Sequence, residues 1–281
     1  MTHMNMTITS SHNEKLKEIR KLLQSRRARD RAGRFVAEGE DLLAAADAAG
    51  WTALERYCAA GSGLGGVEVE PRVLASASAL GSGTRALAVY AERWAPTPPG
   101  PLCIYLHGVS DPGNVGAVLR SAQAFGASSV ALGPGSADPF GPKAVRASMG
   151  AVFGVPVARA GDLAGLPGQT IALVAGAGVP VSELWRFGSE GWNQNAKVGQ
   201  GKVGPADAAG KVPLADFPLT LLIGAEREGL PEELVAAADR VAHIPIQTHS
   251  LNAAMAATVA LYEVTSAPFR RTFDGLARGL A

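Results

Sequence analysis

The sequence predicts an α/β protein in two parts: a small mixed unit at the N-terminus, then a parallel sheet covered on both faces by helices. Three observations predict it. From Leu102 onward, short apolar runs alternate with helical patterns, the rhythm of strands buried on both faces. The stretch APTPPGP at 95–101 is stiff, extended and unable to continue a helix or a central strand, so it reads as a linker. The 281 residues, 47% hydrophobic and 18% charged, have room for one large or two modest cores, and the linker favours two.

In the first part, residues 1–94, Leu16, Ile19, Leu22 and Leu23 recur at helical spacing with cations on the other faces. Phe35 and Val36 form a short strand, followed by a helix that Gly50 can end in a left-handed cap. VEVEPRVL at 67–74 reads as a strand and a proline-containing turn, and RALAVYAERW at 85–94 as a strand. In the second part, residues 102–281, the expected order opens with strand Leu102–Leu106, a helix from Val115, strand Ser129–Leu132, a helix around Lys143–Met149 and strand Val155–Ala158. Strands Thr170–Val174 and Leu219–Ile223, helix Glu232–Ala238, strand Val241–Ile246 and a last helix from Leu251 complete it. The stretch 186–212 is rich in Gly, Asn and Lys and too long for an ordinary connection; it is either a mobile lid over a site or an inert insertion.

A formal net charge of +1 demands no nucleic-acid partner, but Lys15, Lys17, Arg20, Lys21, Arg26, Arg27, Arg29, Arg31 and Arg34 crowd into one short segment. Only Glu14, Glu18 and Asp30 oppose them there, which makes a local basic surface. Cys58 and Cys103 are the only cysteines, each inside an apolar run. That argues against a disulfide framework or a thiolate metal site and fits a reducing cytoplasm. No apolar stretch suits a signal peptide or a membrane span, so a soluble protein is expected. GSGLGG at 61–66 matches G-x-G-x-x-G formally, but a strand rather than a helix follows, so it is not read as a dinucleotide site. Walker A and zinc-ligand spacings are absent, and no metal is expected.

Three stretches carry chemistry-bearing residues at strand ends. In DPGNVGAVLRSAQAFGA, residues 111–127, Val115, Val118, Leu119, Ala122 and Phe125 form a helix's core stripe, and Asn114 is suited to cap that helix. Arg120 lies off the stripe, near the carboxyl edge where open α/β sheets bind ligands, though a lone helical arginine also serves as a solvated face. LLIGAEREGLP, residues 221–231, ends a strand in a Gly-Ala-Glu turn that sets Glu226 at the same kind of edge, or leaves it a plain surface carboxylate. IPIQTHSLNAAMAATVALYE, residues 244–263, starts a helix for which Ser250 reads as the cap, with Asn252 off its apolar stripe. His249 has no acidic partner nearby and reads as a loop histidine.

In order, these three stretches resemble the motifs of the SpoU, or TrmH, family of SPOUT RNA methyltransferases. KAVRASMGAVFGVPV at 143–157 is similar to the segment between motifs in rRNA-directed members. ITSSHNEKLKEIRKLLQSRRARDRAGRFVAEGEDLL, residues 8–43, resembles the opening of that family's substrate-binding domain, which is similar in fold to the ribosomal protein L30e group. The resemblance implies a parallel sheet closed by a C-terminal trefoil knot, an exception to the rule against knots. It further implies S-adenosylmethionine as methyl donor, a ribose 2′-hydroxyl of RNA as acceptor, and a homodimer. By matched position, Asn114, Arg120, Glu226, Ser250 and Asn252 become the catalytic set, and Ala175, Gly224, Ile244, Ile246 and Leu251 the cofactor-binding set. The nine N-terminal cations become RNA-phosphate contacts. Two features depart from the family pattern: the loop between Ile244 and Ser250 is short and lacks a glycine, and 186–212 is long.

A ribose hydroxyl is a poor nucleophile, so the enzyme must mainly orient it and favour its deprotonation. Accounts of the family make the arginine the base. A guanidinium stays protonated in proteins, so Arg120 acting as a clamp on phosphate and developing alkoxide charge needs no large shift. The leading expectation is 23S rRNA as substrate; a transfer RNA methyltransferase of the same family and a non-catalytic RNA-binding or ribosome assembly factor are the alternatives.

Overall fold

A computed structural model describes residues 7–80, 83–186 and 218–278. The first part of the chain forms α1 (Glu14–Gln24), α2 (Arg26–Ala32), β1 (Arg34–Glu38), α3 (Glu40–Ala48), β2 (Glu55–Ala59), β3 (Val67–Val69), α4 (Pro71–Ala77) and β4 (Ala86–Ala91). There follow β5 (Trp94–Ala95), β6 (Leu102–Leu106), α5 (Pro112–Ala124), β7 (Ser129–Leu132), α6 (Pro142–Ala147), α7 (Ala151–Gly154) and β8 (Val157–Arg159). The remainder is β9 (Gln169–Leu173), β10 (Val179–Pro180), a 3-10 turn at Val181–Arg186, β11 (Leu219–Ile223), α8 (Glu232–Ala237), β12 (Arg240–His243) and α9 (Ala253–Arg278). Contacts divide the chain into two compact units, one of Met1–Arg93 with Val115–Arg120 and Asp138–Gly154, the other of Trp94–Asn114, Ser121–Ala137 and Val155–Ala281.

In the first unit four strands lie in the order β1-β4-β2-β3, with β4 antiparallel to both neighbours and β2 parallel to β3. The predicted stripe of Leu16, Ile19, Leu22 and Leu23 is buried against Val36, Tyr57, Val69, Leu74, Leu87 and Val89. Asn13 caps α1 by accepting from the Lys15 amide, and Gly50 takes the left-handed φ of +71° that ends α3. Pro71 opens a helix rather than a turn, because the first helical position has no amide to lose.

The rest of that core comes from Asp138–Gly154. Phe35 lies 4.8 Å from Phe140 and 5.9 Å from Phe153, ring centre to ring centre, and Tyr90 lies 5.1 Å from Phe153. Trp51 packs edge-on against Phe153 and donates Nε1–H to its carbonyl at 2.8 Å, so the indole is buried without an unmet donor. Gly116 lets α5 approach α6: a Cβ there would stand 2.4 Å from the Ala144 carbonyl oxygen.

Among the described residues the second unit holds an eight-stranded sheet in the order β10-β12-β9-β11-β6-β7-β8-β5, with every pair parallel. Strands β6, β7 and β11 are buried along their whole length, as apolar runs covered on both faces must be. Trp94 and Ala95 pair with Val157 and Ala158, so the chain is already in the sheet when the proline-rich stretch begins. The expected strand to Ile246 stops at His243, before Pro245, which has no amide for a ladder. Among the described residues no helix is long and apolar enough to cross a membrane. The 186–212 stretch lies, from residue 187 on, outside the described residues.

Candidate active site

Strands β6, β11, β9 and β12 are neighbours and all parallel, so the loops that leave their carboxyl ends open along one edge of the sheet. The loop after β6 leads into α5. Its cap is Asp111, whose Oδ1 accepts from the Gly113 amide at 2.6 Å and the Asn114 amide at 3.1 Å. The expectation that Asn114 caps this helix is therefore corrected: with Asp111 in that place and Pro112 following, Asn114 falls in the first turn and its carboxamide is left for other partners.

Those partners come from the other two motifs. Asn114 Nδ2 donates to Glu226 Oε1, and Asn252 Nδ2 donates to Asn114 Oδ1 at 3.0 Å. Asn252 Oδ1 in turn accepts from the amides of Ala254 at 2.9 Å and Met255 at 3.3 Å, so Asn252, not Ser250, caps α9. Donor and acceptor identities settle both amide orientations. A carboxylate only accepts and helix amides only donate, which leaves a single arrangement for the two carboxamides between them. Glu226 is held in a turn closed by reciprocal bonds between Ala225 and Gly229, 3.2 and 3.0 Å long. Gly224 is required beneath it, because a Cβ there would meet the Gly229 backbone at 2.2 Å.

Of the predicted catalytic set, Asn114, Glu226 and Asn252 thus form one hydrogen-bonded chain. Arg120 lies on the same helix as Asn114, exposed, with no hydrogen bond or ion pair among the described residues. Ser250 is exposed in the loop before α9. Of the predicted cofactor set, Ala175 follows β9, Gly224 follows β11, and Ile244, Ile246 and Leu251 lie between β12 and α9, all at the same sheet edge. Gly178 brings the loop after β9 against β12, where a Cβ would stand 2.0 Å from the Val241 carbonyl oxygen. Ile246 is 37% exposed, an apolar side chain left open beside loop backbone.

The basic segment sorts into kinds. Lys15 pairs with Glu55, Lys17 with Glu14, Arg26 with Asp30 and Arg34 with Glu18, all at the surface. Such pairs hold their partners weakly, so these cations remain available. Arg20 donates to the carbonyls of Leu16 and Ser11, while Lys21, Arg27 and Arg31 are exposed. Arg29 is different, and the expectation that it is a surface contact is corrected. It is 5% exposed, and its Nε and Nη2 both donate to Asp138 Oδ2 at 2.8 Å. A guanidinium on the inner face of α2 must be paired to be tolerated, and a distant carboxylate supplies the pair. Burial pushes the Cys103 thiol up to about 11, and no group of three or more metal-ligating side chains exists among the described residues.

Sequence reasoning missed three participants. Asp111 was legible, since Asp-Pro before an apolar stripe is itself a capping signal. Ser121 and Thr258, joined at 2.6 Å, carry no local signal because 137 residues separate them.

Residues 101–262 match the SpoU rRNA Methylase family. The chain belongs to the SpoU family. Residues 13–90 match the MRM3-like substrate binding domain. This SpoU-family chain is 34% identical over 163 residues to the 23S rRNA (uridine(2479)-2′-O)-methyltransferase of Streptomyces viridochromogenes, covering 55% of this chain and 48% of that protein. It is 31% identical over 163 residues to the 23S rRNA (guanosine(2553)-2′-O)-methyltransferase of Bacillus subtilis, covering 57% and 56%. The chain spans about half the length of the curated relatives it matches. Among solved structures, the AdoMet-bound rRNA methyltransferase of Sinorhizobium meliloti superposes with a TM-score of 0.72 at 28% identity, covering 92% of this chain and 96% of that one. All ten predicted catalytic and cofactor-binding residues lie inside the SpoU match, and all nine N-terminal cations inside the substrate-binding match.

Proposed function

We propose that this SpoU-family chain transfers a methyl group from S-adenosylmethionine to a ribose 2′-hydroxyl of 23S rRNA. The observation that carries this is the bonded chain Glu226–Asn114–Asn252, which gathers three motifs from separate strand ends onto one edge of a parallel sheet. The residues at that edge fit the donor. Loop backbone around Ala175, Gly224, Ile244 and Leu251 offers amides and carbonyls to an adenine edge, and the open Ile246 side chain offers an apolar face to its ring. The donor supplies an activated methyl group on its sulfonium sulfur. The protein's task is then to place the hydroxyl in line and to favour loss of its proton.

In this reading Arg120 clamps the neighbouring phosphate and stabilises developing negative charge on the ribose oxygen through the several N–H donors of its guanidinium. Asn114 and Asn252 hold the ribose from one side with their bonded carboxamides, and Ser250 supplies a further hydroxyl. Glu226 fixes the rotamer of Asn114. Residues 1–93 serve as an L30e-like RNA-binding unit through Lys15, Lys17, Arg20, Lys21, Arg26, Arg27, Arg31 and Arg34, and the parallel sheet that begins at Trp94 carries the methyltransferase site. In the sheet, β12 lies beyond β9 from β11, the non-sequential order that supports a C-terminal trefoil knot. Met255 and Tyr262, 61% and 43% exposed, leave apolar surface on α9 that supports a homodimer. We place the protein in the cytoplasm, where ribosomal RNA is met.

The test is transfer of labelled methyl from S-adenosylmethionine into total RNA lacking the modification, separated by size, with wild type and Arg120→Ala in parallel. Label in large ribosomal RNA from wild type alone is the expected result. Label in the transfer RNA fraction would move the substrate to that class. RNA binding without transfer, to naked RNA and to assembled subunits alike, would leave a non-catalytic binding or assembly factor.

A further inference from the structure

Helices α5 and α9 carry the proposed chemistry, and among the described residues two hydrogen bonds and a ring pair join them. At the start of both helices Asn252 donates to Asn114. Farther along, Ser121 and Thr258 hydroxyls meet at 2.6 Å, and beyond them the rings of Phe125 and Tyr262 stand edge to face at 6.1 Å. The two hydrogen bonds span 138 and 137 residues, and the ring pair keeps the latter offset. An offset that holds to within one residue means that the helices run parallel and in register, with the first two contacts about 10 Å apart at about 1.5 Å of rise per residue.

The middle contact has a defined direction. Thr258 Oγ1 lies 2.7 Å from the Ala254 carbonyl oxygen, which can only accept, so the single Thr258 proton goes there. Ser121 must therefore donate to Thr258, and one hydroxyl chain runs from α5 into the backbone of α9. Ser121 directly follows Arg120 in the chain, and Thr258 lies less than two turns beyond the Asn252 cap. A slip or rotation of either helix would break this bond and the Asn252–Asn114 bond together.

We propose that Ser121 and Thr258 are positioning residues for methyl transfer, setting the register of α5 against α9 so that Asn114 and Asn252 meet and the Arg120 backbone is held in place. This rests on the proposed 2′-hydroxyl methylation. The full chain is tested as Thr258→Val, Thr258→Ser and Ser121→Ala, measuring kcat and KM for RNA, donor affinity by calorimetry and thermal midpoint. Thr258→Val lowers kcat about three- to tenfold, the equivalent of one neutral hydrogen bond, with donor affinity and midpoint little changed. Thr258→Ser, which keeps the hydroxyl, restores kcat to within about twofold of wild type. If Thr258→Val does not fold, Ser121→Ala carries the test, since it removes the donor and leaves the Thr258–Ala254 bond intact.

Unchanged kcat in Thr258→Val or Ser121→Ala overturns the proposal. So does a loss that Thr258→Ser fails to recover, one that tracks donor affinity, or unfolding of both variants, which would make the pair purely structural. Arg120→Ala is run alongside. Transfer that survives it overturns the reading of the site itself, whereas transfer lost in Arg120→Ala but kept in Thr258→Val overturns only the helix tie.

Discussion

Replacing Arg29 with methionine separates two meanings of a cation in a basic segment. Arg29 makes three bonds, two to Asp138 and one from Nη1 to the Leu22 carbonyl at 2.5 Å, and the two side chains of the pair are 7% and 10% exposed. Methionine fills much the same space but leaves Asp138 Oδ2 buried with no donor. Removing one member of a buried pair costs about 3–5 kcal/mol, several times what a surface pair is worth. For a chain of this size that lowers the thermal midpoint by roughly 5–9 °C. The assay is thermal and urea unfolding of Arg29→Met, beside Arg29→Met/Asp138→Leu, in which both charges are gone. The double variant recovers much of the loss, because a well-packed apolar pair removes the uncompensated carboxylate. RNA affinity measured below the transition should keep its wild-type salt dependence. A single variant as stable as wild type but with weakened, less salt-dependent RNA binding would refute the burial argument and return Arg29 to the surface.

Three further outcomes follow from the same structure. Charge reversal at Arg27 and Arg31, exposed on α2, should weaken RNA binding and flatten its dependence on salt by about 0.7–0.9 log unit per lost phosphate contact; an unchanged salt titration would take α2 out of the interface. Gly116→Val would drive side-chain atoms into the Ala144 carbonyl and the Ala147 methyl, 2.4 and 2.7 Å from where a Cβ begins, so urea unfolding should show a loss of at least about 1–3 kcal/mol. With its pKa raised by burial to about 11, Cys103 stays a thiol at neutral and mildly basic pH and should resist alkylation until the chain unfolds. Since the folded value lies above the unfolded one, its stabilising contribution is complete below about pH 8.5 and falls away as pH rises towards the folded value. Rapid labelling of Cys103 in the native protein would contradict this.

How far the sequence could be read depended on whether a residue's role is settled by its neighbours. Strands Leu102–Leu106, Ser129–Leu132 and Leu219–Ile223 were legible to the residue, because a short and mainly apolar run finds its place in a sheet covered on both faces. Asn114, Glu226 and Asn252 were legible as candidates from motif spacing. That they bond to one another was not, since those bonds span 112 and 138 residues. Both helix caps fall on a polar residue other than the one the local sequence favours, Asp111 rather than Asn114 and Asn252 rather than Ser250. Several candidates stand within one turn of each helix start, and only the backbone path decides which oxygen reaches the free amides.

By itself, the sequence determined the α/β alternation, the polar residues available at the strand ends and the net basic character of residues 15–34, all of which follow from residue type and short-range period. Tertiary structure alone decided that Arg29 turns inward to Asp138, that Asp138–Gly154 completes the first unit's aromatic core, and that α5 and α9 run in register. Each of those joins segments far apart in the chain. A local sequence pattern restricts which faces can be buried, but only the packed chain chooses the partner that buries them.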